Sequence, residues 1–292
     1  MRKKRPLFRK NTRIHDPDEL QQRAQRKENR INKMRKGIFI LPSLLTLTSI
    51  FFSFFAIISA INGDFVLAAA LILVAGFFDG IDGKVARLTK TTTRFGLELD
   101  SLADVISFGV APAILLYMWA LGPYGRFGWV TAFVFTACGA LRLARFNVQT
   151  GHIDPKRFNG LPIPAAAAMV ATTVLFCQKL DLDPANLRVP VLALSFLLSF
   201  FMVSSVKFHA FKDLTLVKQK PFSSTVAFVL LLALIATAPF IVPFFLCAGY
   251  VVSGPVLTIM LYRRNKKRQA EKETDSDTSR PELSSLETKP KA

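Results

Sequence analysis

Eight apolar runs, near residues 37–62, 65–86, 97–120, 127–147, 163–179, 189–208, 223–239 and 242–262, dominate the chain. A helix needs roughly 17–25 apolar residues to cross a bilayer, and each run is near that length. Lipid offers no partner for a bare peptide group, so such runs span as helices. The predicted fold is therefore all-α: a polytopic bundle of about eight transmembrane helices. Lys and Arg give the orientation, because they collect on the cytoplasmic side of short loops. With the N-terminus inside, 35 of the 38 Lys and Arg lie on the cytoplasmic side. Only Arg126, Lys179 and Arg188 lie outside. Eight crossings put both termini in the cytoplasm. Pro239 and Pro243 predict a tight turn between the last two spans.

The charge is equally uneven. Of the formal +18, a basic arm over 1–36 carries +10 and a polar tail over 263–292 carries +3. Both read as disordered cytoplasmic ends flanking a membrane domain over 37–262, able to meet anionic lipid head groups. The 36 polar residues before the first run argue against a cleavable signal peptide. Nucleic-acid binding is excluded as a reading, since no recognition module accompanies the charge. Three scattered cysteines, Cys138, Cys177 and Cys247, rule out a disulfide scaffold and show no metal-ligand spacing.

Against this background, four carboxylates stand out: Asp79, Asp82, Asp100 and Asp104, at the cytoplasmic ends of the second and third spans. A carboxylate in an apolar helix costs about 3 kcal/mol or more and marks a functional site. Asp79 and Asp82 are three apart and Asp100 and Asp104 four apart, so each pair shares a helix face. The short connection between the two helices predicts antiparallel neighbours with both acidic faces meeting. Four such charges repel unless a cation sits between them. Oxygen donors without His or Cys suit Mg²⁺ or Mn²⁺, and four suffice for two ions, an arrangement fitted to phosphoryl displacement. Gly80 and Gly83 clear space for a phosphate to approach, Ala86 keeps the helix slim, and Arg87 can neutralise phosphate. Gly96 would let the chain turn into the third helix. Glu98 points to another face. A pair of carboxylate-bearing helices could equally serve an ion-coupled transporter, but no internal repeat of the transporter kind is visible.

Read as DxxDGxxARx₈GxxxDxxxD, residues 79–104 resemble the signature of the CDP-alcohol phosphatidyltransferase family at every fixed position. The segments ELDSLADVISFGVAPA (98–113), ALRLARFN (140–147) and FNGLPIPAAA (158–167) resemble the branch of that family that uses L-serine. The resemblance runs from about 37 to 208, and more loosely to 262. It implies transfer of a phosphatidyl group from CDP-diacylglycerol to L-serine, giving phosphatidylserine and CMP. It also implies a cavity open to the cytoplasmic leaflet, commonly in a homodimer, in the bacterial inner membrane. Asp79, Asp82, Asp100 and Asp104 would be metal ligands, with Asp104 also the general base. Gly83, Ala86, Arg87 and Thr46 would line the CDP site. The family's PNxxT start of the first span is present as Pro42 to Thr46, with Ser43 where Asn is usual.

The acceptor site is read from charge. Arg142 and Arg145, three apart at the end of the fourth span, could clamp the serine carboxylate, or they could anchor the helix at the interface. Asn147 lies beside them. Glycerol 3-phosphate, an inositol phosphate or choline are the alternative acceptors.

Overall fold

A computed structural model describes residues 42–88, 93–149, 157–209 and 221–278. The basic arm, most of the loop after the fourth helix and the end of the tail lie outside them. The helices are α1 (Pro42–Ile61), α2 (Phe65–Leu88), α3 (Arg94–Tyr124), α4 (Arg126–Gln149), α5 (Ile163–Lys179), α6 (Pro184–Val203), α7 (Pro221–Thr237) and α8 (Val242–Thr278). By length and apolarity, α1, α2, α3, α4, α6 and α8 can cross a membrane, whereas α5 and α7 have 17 residues each. The chain is an all-α integral membrane bundle. Its outer surface says the same, since Phe51, Phe77, Phe133 and Phe200 are each more than 60% exposed. Large rings turned outward in such number require an apolar surrounding.

Small residues set the packing. Ala68, Ala69 and Ala75 of α2 and Ala166, Ala167 and Ala171 of α5 are fully buried, and α2 with α5 forms one of the two most extensive helix pairs, α4 with α6 the other. Lipid tails are as apolar as Leu, so helices associate in membranes through close backbone approach, which small side chains allow. α5 is thus wrapped by protein, which offsets its shortness.

Element ends have local causes. Gly63, at φ +87°, turns the chain between α1 and α2. Thr93 caps α3 by accepting from Gly96 N at 3.0 Å. Gly96 therefore lies inside the first turn of α3, beside the cap, and the turn expected of it occurs earlier. α6 starts at Pro184 and ends at Val203, five residues ahead of the expected 189–208 at both ends. Asp183 caps it, accepting from Ala185 N at 2.8 Å, and Pro184 sits at the first position, where its missing N–H is harmless. Ile241 N donates to Ala238 O at 3.2 Å in the turn between α7 and α8. α8 then continues to Thr278, so the first part of the expected disordered tail is helical. Its Lys, Arg, Gln, Ala and Glu residues are strong helix formers.

α3 is not a uniform α-helix. It widens into π turns at Val105–Val110 and Tyr117–Leu121, each followed two residues later by a proline, Pro112 and Pro123. Proline lacks an N–H and crowds the carbonyl four residues back. The wider turn relieves that crowding, with Ala111 N donating to Ile106 O and Gly122 N to Tyr117 O. The Thr136 hydroxyl of α4 donates to Gly109 O in the first π turn at 3.2 Å.

Outside the helices, β1 (Arg157–Asn159) pairs antiparallel with β2 (Lys207–His209), Phe158 opposite Phe208. This ribbon replaces what the periodicity predicts as the end of the sixth span. Gly160, at φ +85°, follows β1 and donates to Val206 O at 2.8 Å. A side chain there would lie 2.5 Å from Met202 O.

Candidate active site

The two acidic pairs meet. One oxygen each from Asp79, Asp82 and Asp100 lie within 4.8 Å of one another. The side chains of Asp79 and Asp104 are hydrogen-bonded, so the fourth carboxylate adjoins the other three. The i, i+3 and i, i+4 spacings turn both pairs inward, and the π turn that starts at Val105 follows directly after Asp104. Such turns recur at functional sites because they re-aim side chains without breaking the helix.

A hydroxyl-lined floor supports the cluster. Thr46 of α1 donates to Asp82 Oδ2 at 2.9 Å, and its oxygen also lies 3.1 Å from Pro42 O. Ser49 donates to Ala75 O at 3.0 Å and is hydrogen-bonded to Ser107 at 3.4 Å. Thr46, Ser49, Ser107 and Asp82 are all buried. This floor joins α1, α2 and α3 directly beneath the carboxylates. Ser49 and Ser107 escape sequence reading, because a serine in an apolar helix ordinarily bonds its own backbone.

The donor set fits a hard divalent cation. Oxygens around Mg²⁺ at about 2.1 Å stand about 3–4 Å apart, so the three carboxylates need only a small inward shift. Uncompensated buried charges cost several kcal/mol each; a divalent ion removes most of that cost here. Asp79, Asp82 and Asp100 are the residues able to hold it, with Asp104 adjoining.

Of the other predicted site residues, Gly80 and Gly83 lie on α2 beside the cluster, and no atom lies within 4 Å of where a side chain at Gly80 would begin. Ala86 and Arg87 continue α2, their side chains being outside the described residues. Thr46, expected at the nucleotide, has its hydroxyl directed to Asp82. Glu98 is exposed.

The two arginines separate. Arg142 is half-buried, faces Asp104 and lies 5.7 Å over the Phe146 ring. Tyr250 of α8 is within electrostatic reach of the same guanidinium. Arg145 is exposed and donates to Val203 O at 2.8 Å, satisfying a carbonyl at the end of α6. Asn147 donates to Ser101 Oγ at 2.9 Å, tying α4 to α3 beside Asp100. Tyr250 was invisible to sequence reading; it is one aromatic among many in the last span.

Residues 39–203 match the CDP-alcohol phosphatidyltransferase family. A CDP-diacylglycerol–serine O-phosphatidyltransferase of Helicobacter pylori is 43% identical over 175 residues, covering 60% of this chain and 74% of its own. A protein of the same name from Methanocaldococcus jannaschii is 35% identical over 217 residues, covering 74% and 96%. An archaetidylserine synthase of Methanothermobacter thermautotrophicus is 38% identical over 182 residues, covering 61% and 72%.

Proposed function

Because this chain belongs to the CDP-alcohol phosphatidyltransferase family, we propose that it transfers the phosphatidyl group of CDP-diacylglycerol to L-serine, releasing phosphatidylserine and CMP. The observation that carries the reading is the convergence of Asp79, Asp82 and Asp100, with Asp104 bonded to Asp79. The acceptor is supported by the relatives, whose names specify serine or a serine-containing lipid product.

Asp79, Asp82 and Asp100 hold Mg²⁺ or Mn²⁺, and Asp104 completes a set sufficient for two ions. Bound there, the metal neutralises charge on the pyrophosphate as CMP departs. Asp104 accepts the proton of the serine hydroxyl while the serine oxygen bonds to the phosphorus carrying diacylglycerol. The bond from that phosphorus to the CMP oxygen breaks, so the products are phosphatidylserine and CMP, with one proton left on Asp104. Thr46 acts through Asp82, holding its carboxylate in one orientation. Gly80, Gly83 and Ala86 leave room on α2 for the nucleotide, and Arg87 meets a phosphate. Arg142, held opposite Asp104, takes the serine carboxylate and so brings the hydroxyl to the base. Arg145 and Asn147 fix the position of α4. The lipid donor approaches within the membrane and serine from the cytoplasm, the side on which Lys and Arg collect.

The test is CMP release by purified protein in detergent with CDP-diacylglycerol, Mn²⁺ or Mg²⁺, and a panel of L-serine, glycerol 3-phosphate, inositol phosphate and choline. Release with L-serine alone is expected. Release with a different acceptor would overturn the substrate while leaving the carboxylates their roles. No release from folded protein would remove the transferase reading and bring the ion-coupled transporter forward.

A further inference from the structure

α8 lies wholly beyond the residues that match the family, yet it is docked along its length. Phe244 stacks on Phe176 of α5 with centroids 4.3 Å apart and planes at 11°. Phe208 of β2 is fully buried against the backbone of Gly254, where a side chain would collide with its ring. Lys207 N donates to Thr258 Oγ1 at 2.9 Å. Between these anchors stands Tyr250, its ring 5.8 Å from that of Phe208 and its side chain in electrostatic reach of Arg142. Arg142 is therefore bounded by three elements: Asp104 from α3, Phe146 from its own helix, and Tyr250 from α8.

A guanidinium on a long side chain loses much rotamer freedom when it must meet a small ligand in one pose. Neighbours that hold it beforehand reduce that loss, which is how preorganisation raises affinity. Asp104 alone cannot supply this without competing for the same guanidinium that the substrate needs. A neutral phenol can, because it constrains without adding a second negative charge.

We propose that Tyr250 is a positioning residue for the acceptor site, holding Arg142 in the orientation that receives the carboxylate of the amino-acid acceptor. α8 is then part of the catalytic unit, and the unit extends past the segment shared by the family. The inference rests on the reading of Arg142 given above.

The experiment compares Tyr250→Phe, Arg142→Lys and the double variant, measuring KM for L-serine, KM for CDP-diacylglycerol and kcat by CMP release, with melting temperature alongside. Tyr250→Phe keeps the ring against Phe208 and removes only the hydroxyl. Its KM for L-serine should rise about tenfold, the size of one lost hydrogen bond to a charged group. KM for CDP-diacylglycerol, kcat at saturating serine and melting temperature should change little. In the Arg142→Lys background the same change should have no further effect on serine KM, because the residue it positions is gone. An unchanged serine KM in Tyr250→Phe, with a raised one in Arg142→Lys, overturns the inference and leaves the Arg142 reading standing. An unchanged serine KM in Arg142→Lys overturns that reading, and the inference with it. Equal rises in both KM values with a lowered melting temperature would make Tyr250 a packing residue and overturn the inference.

Discussion

The Thr46 hydroxyl donates to Asp82 Oδ2 at 2.9 Å, a bond from α1 to a buried carboxylate 36 positions further along the chain. It fixes which way Asp82 faces and leaves its other oxygen for the cluster. Partners of this kind behind metal-binding side chains commonly change metal affinity 10–100-fold when removed. Thr46→Val should raise the Mn²⁺ or Mg²⁺ concentration for half-maximal activity about tenfold, and Thr46→Ser should restore it. A metal titration of CMP release checks this, and an unshifted midpoint would mean that Asp82 needs no such orientation.

Asp104→Asn keeps size and can still meet Asp79, but it cannot accept a proton at neutral pH. The variant should fold and bind CDP-diacylglycerol while kcat falls at least about 100-fold, the lower end of general-base contributions. Binding by calorimetry in detergent and turnover by CMP release separate the two effects. Wild-type turnover would remove Asp104 as the base.

Chelation should abolish activity reversibly. It should also lower the melting temperature, since an ion bound only by the folded state stabilises it by about 2.7 kcal/mol at 100 times its dissociation constant. The four neighbouring carboxylates make the direction definite: removing the ion restores their repulsion. Activity that persists without divalent ions would sink the metal scheme.

Arg142 and Arg145, three residues apart, should behave differently. Arg142→Gln should raise KM for L-serine with the protein intact. Arg145→Gln should leave that KM unchanged and cost about 1 kcal/mol of stability, the worth of its bond to Val203 O. Paired kinetics and thermal melts decide the matter, and a serine effect in both variants would place both guanidinium groups on the acceptor.

Gly160→Ala should destabilise by about 2 kcal/mol, because the residue sits in the left-handed region. The new methyl would also crowd Met202 O. Thermal unfolding in detergent checks the loss, and an unaltered melting temperature would show that the ribbon gives way freely.

Much of this protein was legible from one dimension. Apolar runs placed α5 at its observed bounds and gave the positions of the other helices to within a few residues, because crossing a bilayer is a demand each segment meets alone. The spacing of Asp79, Asp82, Asp100 and Asp104 was equally readable, since three- and four-residue intervals define a helix face without reference to neighbours. Pro184 and Pro190 obscured the start of α6, where the Asp183 cap prevailed over the apparent break.

What only the tertiary structure decided lies between segments far apart in sequence. The direction of the Thr46 hydroxyl, the Ser49–Ser107 floor, the separation of Arg142 from Arg145 and the arrival of Tyr250 depend on which helix packs against which. Periodicity reports that a face is apolar or acidic, but it does not name the partner. The partner is chosen by close approach of small residues, by π turns that re-aim a helix past a proline, and by hydrogen bonds that low-dielectric surroundings make costly to leave unmade. These are properties of the assembled bundle, and they convert four carboxylates with a shared spacing into a site with a floor and a positioned cation.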